Sequence, residues 1–324
     1  MSRRGWFAFA ALSVIWGVPY LFIKVAVDDG ISPFFLSWAR LVLGAGVLFA
    51  LVPRQGTEML RRGPRRWILA YATVEMVGPF PLIAAGEQHV DSSVAAIVIA
   101  TVPLLIALLA LRFDHTERPT RTRLLGMLIG LAGVAALVGI DLSGKSSELL
   151  GAGAVMIAAV GYAAGPMIIK RHLLEYDPRA TMAASLAVAA VLLTPAGLLT
   201  VPGSVPPADA LTSLVVLGVF CTAAAFVILM VLVAEVGAGR ASIITYINPV
   251  IAVALGVIVL GESPGAGAIA GLLLILAGSW LATDDRLPPN PTAIVTRWRF
   301  GPRSRPQVQE PTALRQASPR ATAG

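Results

Sequence analysis

Ten apolar stretches, separated by short clusters of charge, proline and glycine, occupy the chain as far as residue 283 and leave few folds open to it. They run near 5–27, 33–52, 67–86, 92–112, 122–140, 149–170, 180–201, 211–234, 241–260 and 266–283. A helix rises 1.5 Å per residue, so about 20 apolar residues cross the roughly 30 Å core of a bilayer. Of the 324 residues, 56% are apolar and 13% charged, about half the charged share of a soluble domain. Lipid is therefore the main solvent. Inside lipid every backbone polar group must be satisfied within its own segment, which selects helices; a barrel would show short alternating segments instead. The expected fold is an all-α membrane protein of ten transmembrane helices.

The basic residues sort by side. With the N-terminus inside, the positive-inside rule places Arg3, Arg4, the cluster Arg54, Arg61, Arg62, Arg65 and Arg66, then Arg112, Arg118, Arg121 and Arg123, then Lys170, Arg171, Arg179 and Arg240 in the cytoplasm. Of the 25 basic residues, Lys24 and Lys145 fall outside and Arg40 within a span. The outer loops carry Asp28, Asp29, Glu87, Asp91 and Asp209. Both termini are expected in the cytoplasm. The net charge of +7 thus follows membrane topology and does not point to nucleic acid. Arg3-Arg4-Gly5 ahead of an apolar run also suits a signal peptide, but no convincing cleavage site interrupts Trp6 to Val27, and further spans follow. A retained first helix is expected, in a multi-pass protein of the cytoplasmic (inner) membrane. The high Ala, Gly and Arg content suits a bacterial chain.

Other chemistries lack their residues. Cys221 is the single cysteine, which excludes an internal disulfide. His89, His115 and His172 have no carboxylate or thiol at metal-ligand spacing, so no metal or cofactor is expected. No Walker-type loop and no nucleophile–base pair lies in the spans, which argues against an ATP-driven pump and against an enzyme. From Asp284 to Gly324 the chain has seven prolines and no apolar period, the pattern of a disordered basic cytoplasmic tail.

The two halves repeat each other at an offset of 145–146 residues. Lys24 matches Lys170, Trp16 matches Tyr162, Pro33 matches Pro178, Pro103 matches Pro249, and Glu117 matches Glu262. Five helices per half is an odd number, so the halves insert in opposite directions, as in inverted-repeat transporters. The domains are then 1–141 (five helices), 142–283 (five helices) and the tail 284–324. Trp16-Gly17 in the first span, Arg40 in the second, and the runs Pro103…Glu117 and Pro249…Gly261-Glu262 resemble the EamA family of the drug/metabolite transporter superfamily. The resemblance covers about residues 7–283 and implies ten helices in two inverted halves, with export or exchange of amino acids, metabolites or drugs. Arg112-Phe113-Asp114-His115-Thr116 departs from the short apolar-Gly stretch usual before the first Glu.

Several residues are candidates for the pathway. Ser13, Trp16, Tyr20 and Lys24 fall on one stripe of the first helix, either facing a substrate pathway or anchoring at the interface. Trp16 lies near the midplane, where an anchor has no use. Arg40 and Glu75 are ionisable residues inside spans, each costing about 2.5–3.5 kcal/mol at a helix centre if unpaired. They either pair with each other or meet a substrate, Arg40 holding a carboxylate and Glu75 acting as the proton-coupling site. A desolvated carboxylate keeps a proton more readily than a solvated one. Pro103 and Pro249 free the carbonyls of Ile99 and Thr245 and are candidate hinges. Asn248, with Tyr246 nearby, and Tyr162, the counterpart of Trp16, complete the candidate substrate-binding set. Gly126, Gly130, Gly44 and Gly46 are expected at helix contacts. The expected function is secondary transport of a small organic metabolite by alternating access, outward, with proton or counter-substrate coupling. The alternative is a non-transporting scaffold or lipid-binding membrane protein, which requires no polar cavity and a simple Arg40–Glu75 pair.

Overall fold

A computed structural model describes residues 2–113, 120–142, 146–236 and 244–283. The tail 284–324, Glu117 with the divergent Asp114–Thr116, and Arg118, Lys145 and Arg240 lie outside the described residues, as does the side chain of Arg112. Among the described residues all regular structure is helical. Eight helices are long and apolar enough to cross a membrane: α1 (Arg3–Asp28), α2 (Pro33–Leu51), α3 (Arg65–Glu87), α4 (Ser92–Leu109), α5 (Arg121–Asp141), α6 (Ser146–Leu173), α7 (Pro178–Leu199) and α8 (Ala208–Leu232). Two shorter apolar helices follow, α9 (Ile244–Leu260) and α10 (Ala266–Ala282). Their positions match the apolar stretches of the sequence.

Local chemistry sets the ends. Ser32 caps α2 by accepting from the Phe35 amide at 3.1 Å, with Pro33 in the first turn. Asp177 accepts from the Arg179 amide at 2.7 Å and is followed by Pro178. Side-chain caps of this kind satisfy amides that no helical carbonyl can reach. Large apolar side chains face outward, with Phe7 77%, Ile258 79% and Leu199 87% exposed. That surface suits lipid and would be a liability in water.

The main packing pairs are α2 with α7, α3 with α6, α4 with α9, α5 with α10, and α1 with α8 and α9. Glycine sets the closest of these. A Cβ on Gly126 would stand 2.7 Å from the Gly278 carbonyl oxygen, and one on Gly133 2.9 Å from that of Gly271. Gly44 faces Thr222 and Gly218 of α8 in the same way, whereas Gly46 faces no neighbour within 4 Å.

Three features depart from the sequence reading. α1 is interrupted at Val18, since Pro19 cannot donate to the preceding turn and restarts the helix. A short amphipathic helix, Pro53–Arg62, occupies what the sequence offers as a basic connection. It buries Gly56 and Met59 and is braced by Arg62 and Glu58 at 3.0 Å. Finally, four π-helical segments widen the ladders at Thr73–Val77, Leu137–Asp141, Ile169–Leu173 and Val216–Ala224. Such bulges recur at functional sites.

Candidate functional site

Glu75 sits in the middle of the first π segment. Pro79 and Pro81 carry no N–H, so the turn before them is short of donors, and the Gly78 amide reaches back five residues to the Thr73 carbonyl at 3.0 Å. The widened turn carries Glu75 and Met76 inward. In α8 the last of the four π segments, Val216–Ala224, does the same for Cys221. There the Thr222 hydroxyl donates five residues back to the Leu217 carbonyl at 2.8 Å.

These two segments border a cavity of about 340 Å³ near the middle of the bundle. Trp16 and Tyr20 from α1, Arg40 from α2, Glu75 from α3, Pro103 from α4, Tyr162 from α6, and Asn248 and Pro249 from α9 all line it. The structure therefore brings together candidates chosen from positions up to 233 residues apart in the chain. Most of the remaining wall is apolar, including Met76, Phe80, Ile83, Ile99, Ile106 and Phe226. A mainly apolar pocket with a few convergent polar groups is the usual form of a small-molecule site.

The polar groups are held in different ways. The Arg40 Nε donates to the Thr222 hydroxyl at 2.9 Å, and the guanidinium carbon lies 4.1 Å from the Phe80 ring centroid. Among the described residues no ion pair joins Arg40 to Glu75. The Glu75 Oε2 is buried without a hydrogen-bond partner among the described residues. Its carboxylate lies over Gly165 of α6, where an added Cβ would collide with Oε2 and stand 3.3 Å from the Tyr71 ring. Trp16 is edge-on to Phe226, with centroids 6.1 Å apart. The Asn248 amide, oriented by its neighbours, donates to the Ser13 carbonyl at 3.1 Å and the Ile244 carbonyl at 2.9 Å. It thereby ties α9 to α1.

Two members of the sequence set lie elsewhere. Tyr246 is not among the cavity-lining residues; its hydroxyl donates to the Ser279 carbonyl at 3.3 Å, and its ring is tilted against Trp280. Lys24, on the same stripe as Trp16, donates to the Glu87 carbonyl at 2.9 Å and pairs with Asp28 at 3.1 Å. The two prolines also differ. At Pro103 the helix α4 is broken by a turn at Ala100 and Thr101, while Pro249 lies within the continuous α9. Sequence reasoning did not identify Phe80, Phe226, Cys221 or Pro166 of the wall. These apolar or weakly polar residues on apolar helices give no signal without the fold. A larger cleft of about 680 Å³, lined by Arg4, Arg179 and Glu235 beside Leu51, Met230 and Val231, contains none of the central polar set.

A multi-pass helical bundle around a cavity with an arginine, a carboxylate and aromatic walls belongs to the class of membrane transporters. The chain matches the EamA-like transporter family twice, over residues 3–139 and 149–283, and it belongs to that family. A transporter of Bacillus subtilis named "Uncharacterized transporter YoaV" is 26% identical over 278 residues, covering 84% of this chain and 94% of its own. "Uncharacterized inner membrane transporter YedA" of Escherichia coli K12 is 28% identical over 270 residues, covering 79% and 83%. A "Probable amino-acid metabolite efflux pump" of Salmonella typhimurium is 25% identical over 294 residues, covering 87% and 95%. One solved structure superposes with a TM-score of 0.62 at 21% identity, covering 87% of this chain and 97% of that one; it shares the fold. A transporter of this family implies a membrane setting and a small-molecule substrate.

Proposed function

We propose that the chain is a secondary transporter that moves a small organic metabolite across the cytoplasmic membrane by alternating access, as an exporter, with the central cavity as its binding site. The observation that carries this reading is the cavity itself. The scaffold alternative requires an Arg40–Glu75 pair and no polar space, and neither condition fits the geometry. Arg40 presents a fixed positive charge held by Thr222, and Glu75 presents an unpartnered carboxylate oxygen. An amino-acid-like zwitterion would satisfy both, with its side chain among Met76, Phe80 and Phe226. One relative's name mentions an amino-acid metabolite efflux pump, which agrees with that class.

The architecture that carries the cycle is two inverted five-helix halves, 1–141 and 142–283, with both termini and the basic tail 284–324 in the cytoplasm. The packing supports the repeat. Moving every helix number by five turns the pairs α2–α7, α4–α9 and α5–α10 into themselves and exchanges α3–α6 with α1–α8. The π segments of α3 and α8 also correspond, and at an offset of 146 residues Cys221 is the counterpart of Glu75. Pro103 and Pro249 are the hinges of this scheme. The test is counterflow of a labelled amino-acid and metabolite panel in proteoliposomes, comparing wild type with Glu75→Gln. Saturable flux that depends on Glu75 is expected. Absence of flux for every compound, in protein shown to be folded, moves the reading to the scaffold.

A further inference from the structure

The membrane end of α3 holds a second carboxylate, sealed away from the cavity. Glu87 is 0% exposed, and neither of its carboxylate oxygens has a hydrogen-bond partner among the described residues. Lys24 is beside it but donates to the Glu87 main-chain carbonyl and pairs with Asp28. On the other side stands Glu262, from the segment before α10. Its Oε1 accepts from the Ser92 amide at 2.7 Å and its Oε2 from the Ser93 amide at 3.0 Å. These are the first amides of α4, which favour a negative group. The hydroxyls of Ser92 and Ser93 are themselves fully buried and without partners among the described residues.

Two carboxylates near the start of α4 are therefore held under opposite conditions. Glu262 accepts from two amides at the end of a helix; among the described residues Glu87 has no donor on either oxygen. A carboxylate removed from water without partners is neutralised rather than left charged. Among the described residues, the charged and titratable groups that act on Glu87 include Lys24, Asp28 and Tyr20 from α1, Arg40 from α2 and Glu262. α6 meets this end of α3 with Gly151 and Val155 against Gly86. Tyr20 and Arg40 also line the cavity, so the charge of Glu87 is felt at the substrate site.

We propose that Glu87 carries the coupling proton of the transport cycle, sealed with it while Glu262 clamps the start of α4. The proposal rests on the transport reading. When the clamp on Ser92 and Ser93 opens, water reaches Glu87, its O–H bond breaks, and the proton passes to solvent. The carboxylate that remains then attracts the guanidinium of Arg40 and competes with an anionic group of the substrate. Proton release and substrate hold are thus linked through one side chain, as reciprocal coupling requires.

Two measurements on the full-length protein in liposomes test this. Infrared difference spectra between H₂O and D₂O are expected to show a protonated-carboxyl C=O band that disappears in Glu87→Gln, persists in Glu75→Gln, and returns displaced in Glu87→Asp. With a labelled amino acid that gives counterflow, a gradient of one pH unit drives about tenfold accumulation per coupled proton. Glu87→Gln is expected to abolish that accumulation and keep counterflow, with Glu87→Asp restoring part of it. A carboxyl band unchanged in Glu87→Gln overturns the proposal, as does pH-driven accumulation that survives in Glu87→Gln but is lost in Glu75→Gln. If no compound gives flux while the Glu87 band is present, the transport reading fails and the coupling role fails with it. The band then separates that result from an error about the proton.

Discussion

Two carboxylates on one helix, Glu75 and Glu87 of α3, teach different lessons about buried charge. Glu75 is half-buried, borders open space in the cavity and leaves one oxygen without a partner among the described residues. Glu87 is fully buried, and both its oxygens are without a partner among the described residues. The first borders a cavity that can hold a ligand, and the second is not among the residues that line it. Burial alone does not separate a binding group from a coupling group; the space beside the carboxylate does.

The largest expected effect comes from exchanging their fates. Glu75→Gln is expected to reduce counterflow roughly ten- to hundredfold, the loss of one charge-assisted hydrogen bond of about 1.5–3 kcal/mol. Glu87→Gln leaves counterflow in place. Initial rates in proteoliposomes decide it, and equal loss in both variants would erase the distinction. Gly165→Ala sharpens the same point from the opposite wall. The added methyl collides with the Glu75 carboxylate, so a destabilisation of about 1–3 kcal/mol and a raised KM are expected. Gly153→Ala on the same helix, with open space around it, is the neutral control. Thermal unfolding in detergent and exchange kinetics together read both variants.

A third prediction concerns α8, where Cys221 occupies the place that Glu75 has in α3. Cys221 is buried and borders the cavity. A small maleimide is expected to label it, transported substrate to slow the labelling in proportion to occupancy, and the adduct to block counterflow. Labelling that ignores substrate would place Cys221 outside the occupied space and weaken the correspondence between the two π segments.

How much of this could be read beforehand follows from the physics of each signal. Apolar length fixes spans because the bilayer imposes one thickness, so the ten stretches agree with the helices to within a few residues. Charged, aromatic and proline residues inside those stretches stand out against an apolar background, and eight of the eleven positions named for pathway or hinge line one cavity. The π segments were not legible. They depend on the donors missing at Pro79 and Pro81 and on packing around Thr222, and residue spacing records neither. By sequence Glu87 reads as an outer-loop residue, because it ends an apolar run beside Gln88 and His89. Its surroundings come from Lys24 of α1 and from α6, where Gly151 and Val155 pack against Gly86, all distant in sequence. The helix Pro53–Arg62 was hidden by its charge, since Gly56 and Met59 are its only buried residues.

The smallest effect expected is at Tyr246, and it tests the edge of the cavity. Tyr246 and Asn248 are neighbours on α9, and the sequence ranks them together. The structure gives Asn248 to the cavity wall and to Ser13 of α1, while the Tyr246 hydroxyl reaches Ser279 of α10. Tyr246→Phe therefore removes the long hydrogen bond to Ser279 and keeps the ring against Trp280. The expected result is a stability loss at the low end of about 0.5–1.5 kcal/mol with an unchanged KM for exchange. Asn248→Ala opens space at the wall and unties α9 from α1, so its KM is expected to rise. A KM that moves in Tyr246→Phe as it does in Asn248→Ala would mean that the substrate site extends across α9 towards α10. The boundary between binding wall and packing face would then have to be drawn beyond Tyr246.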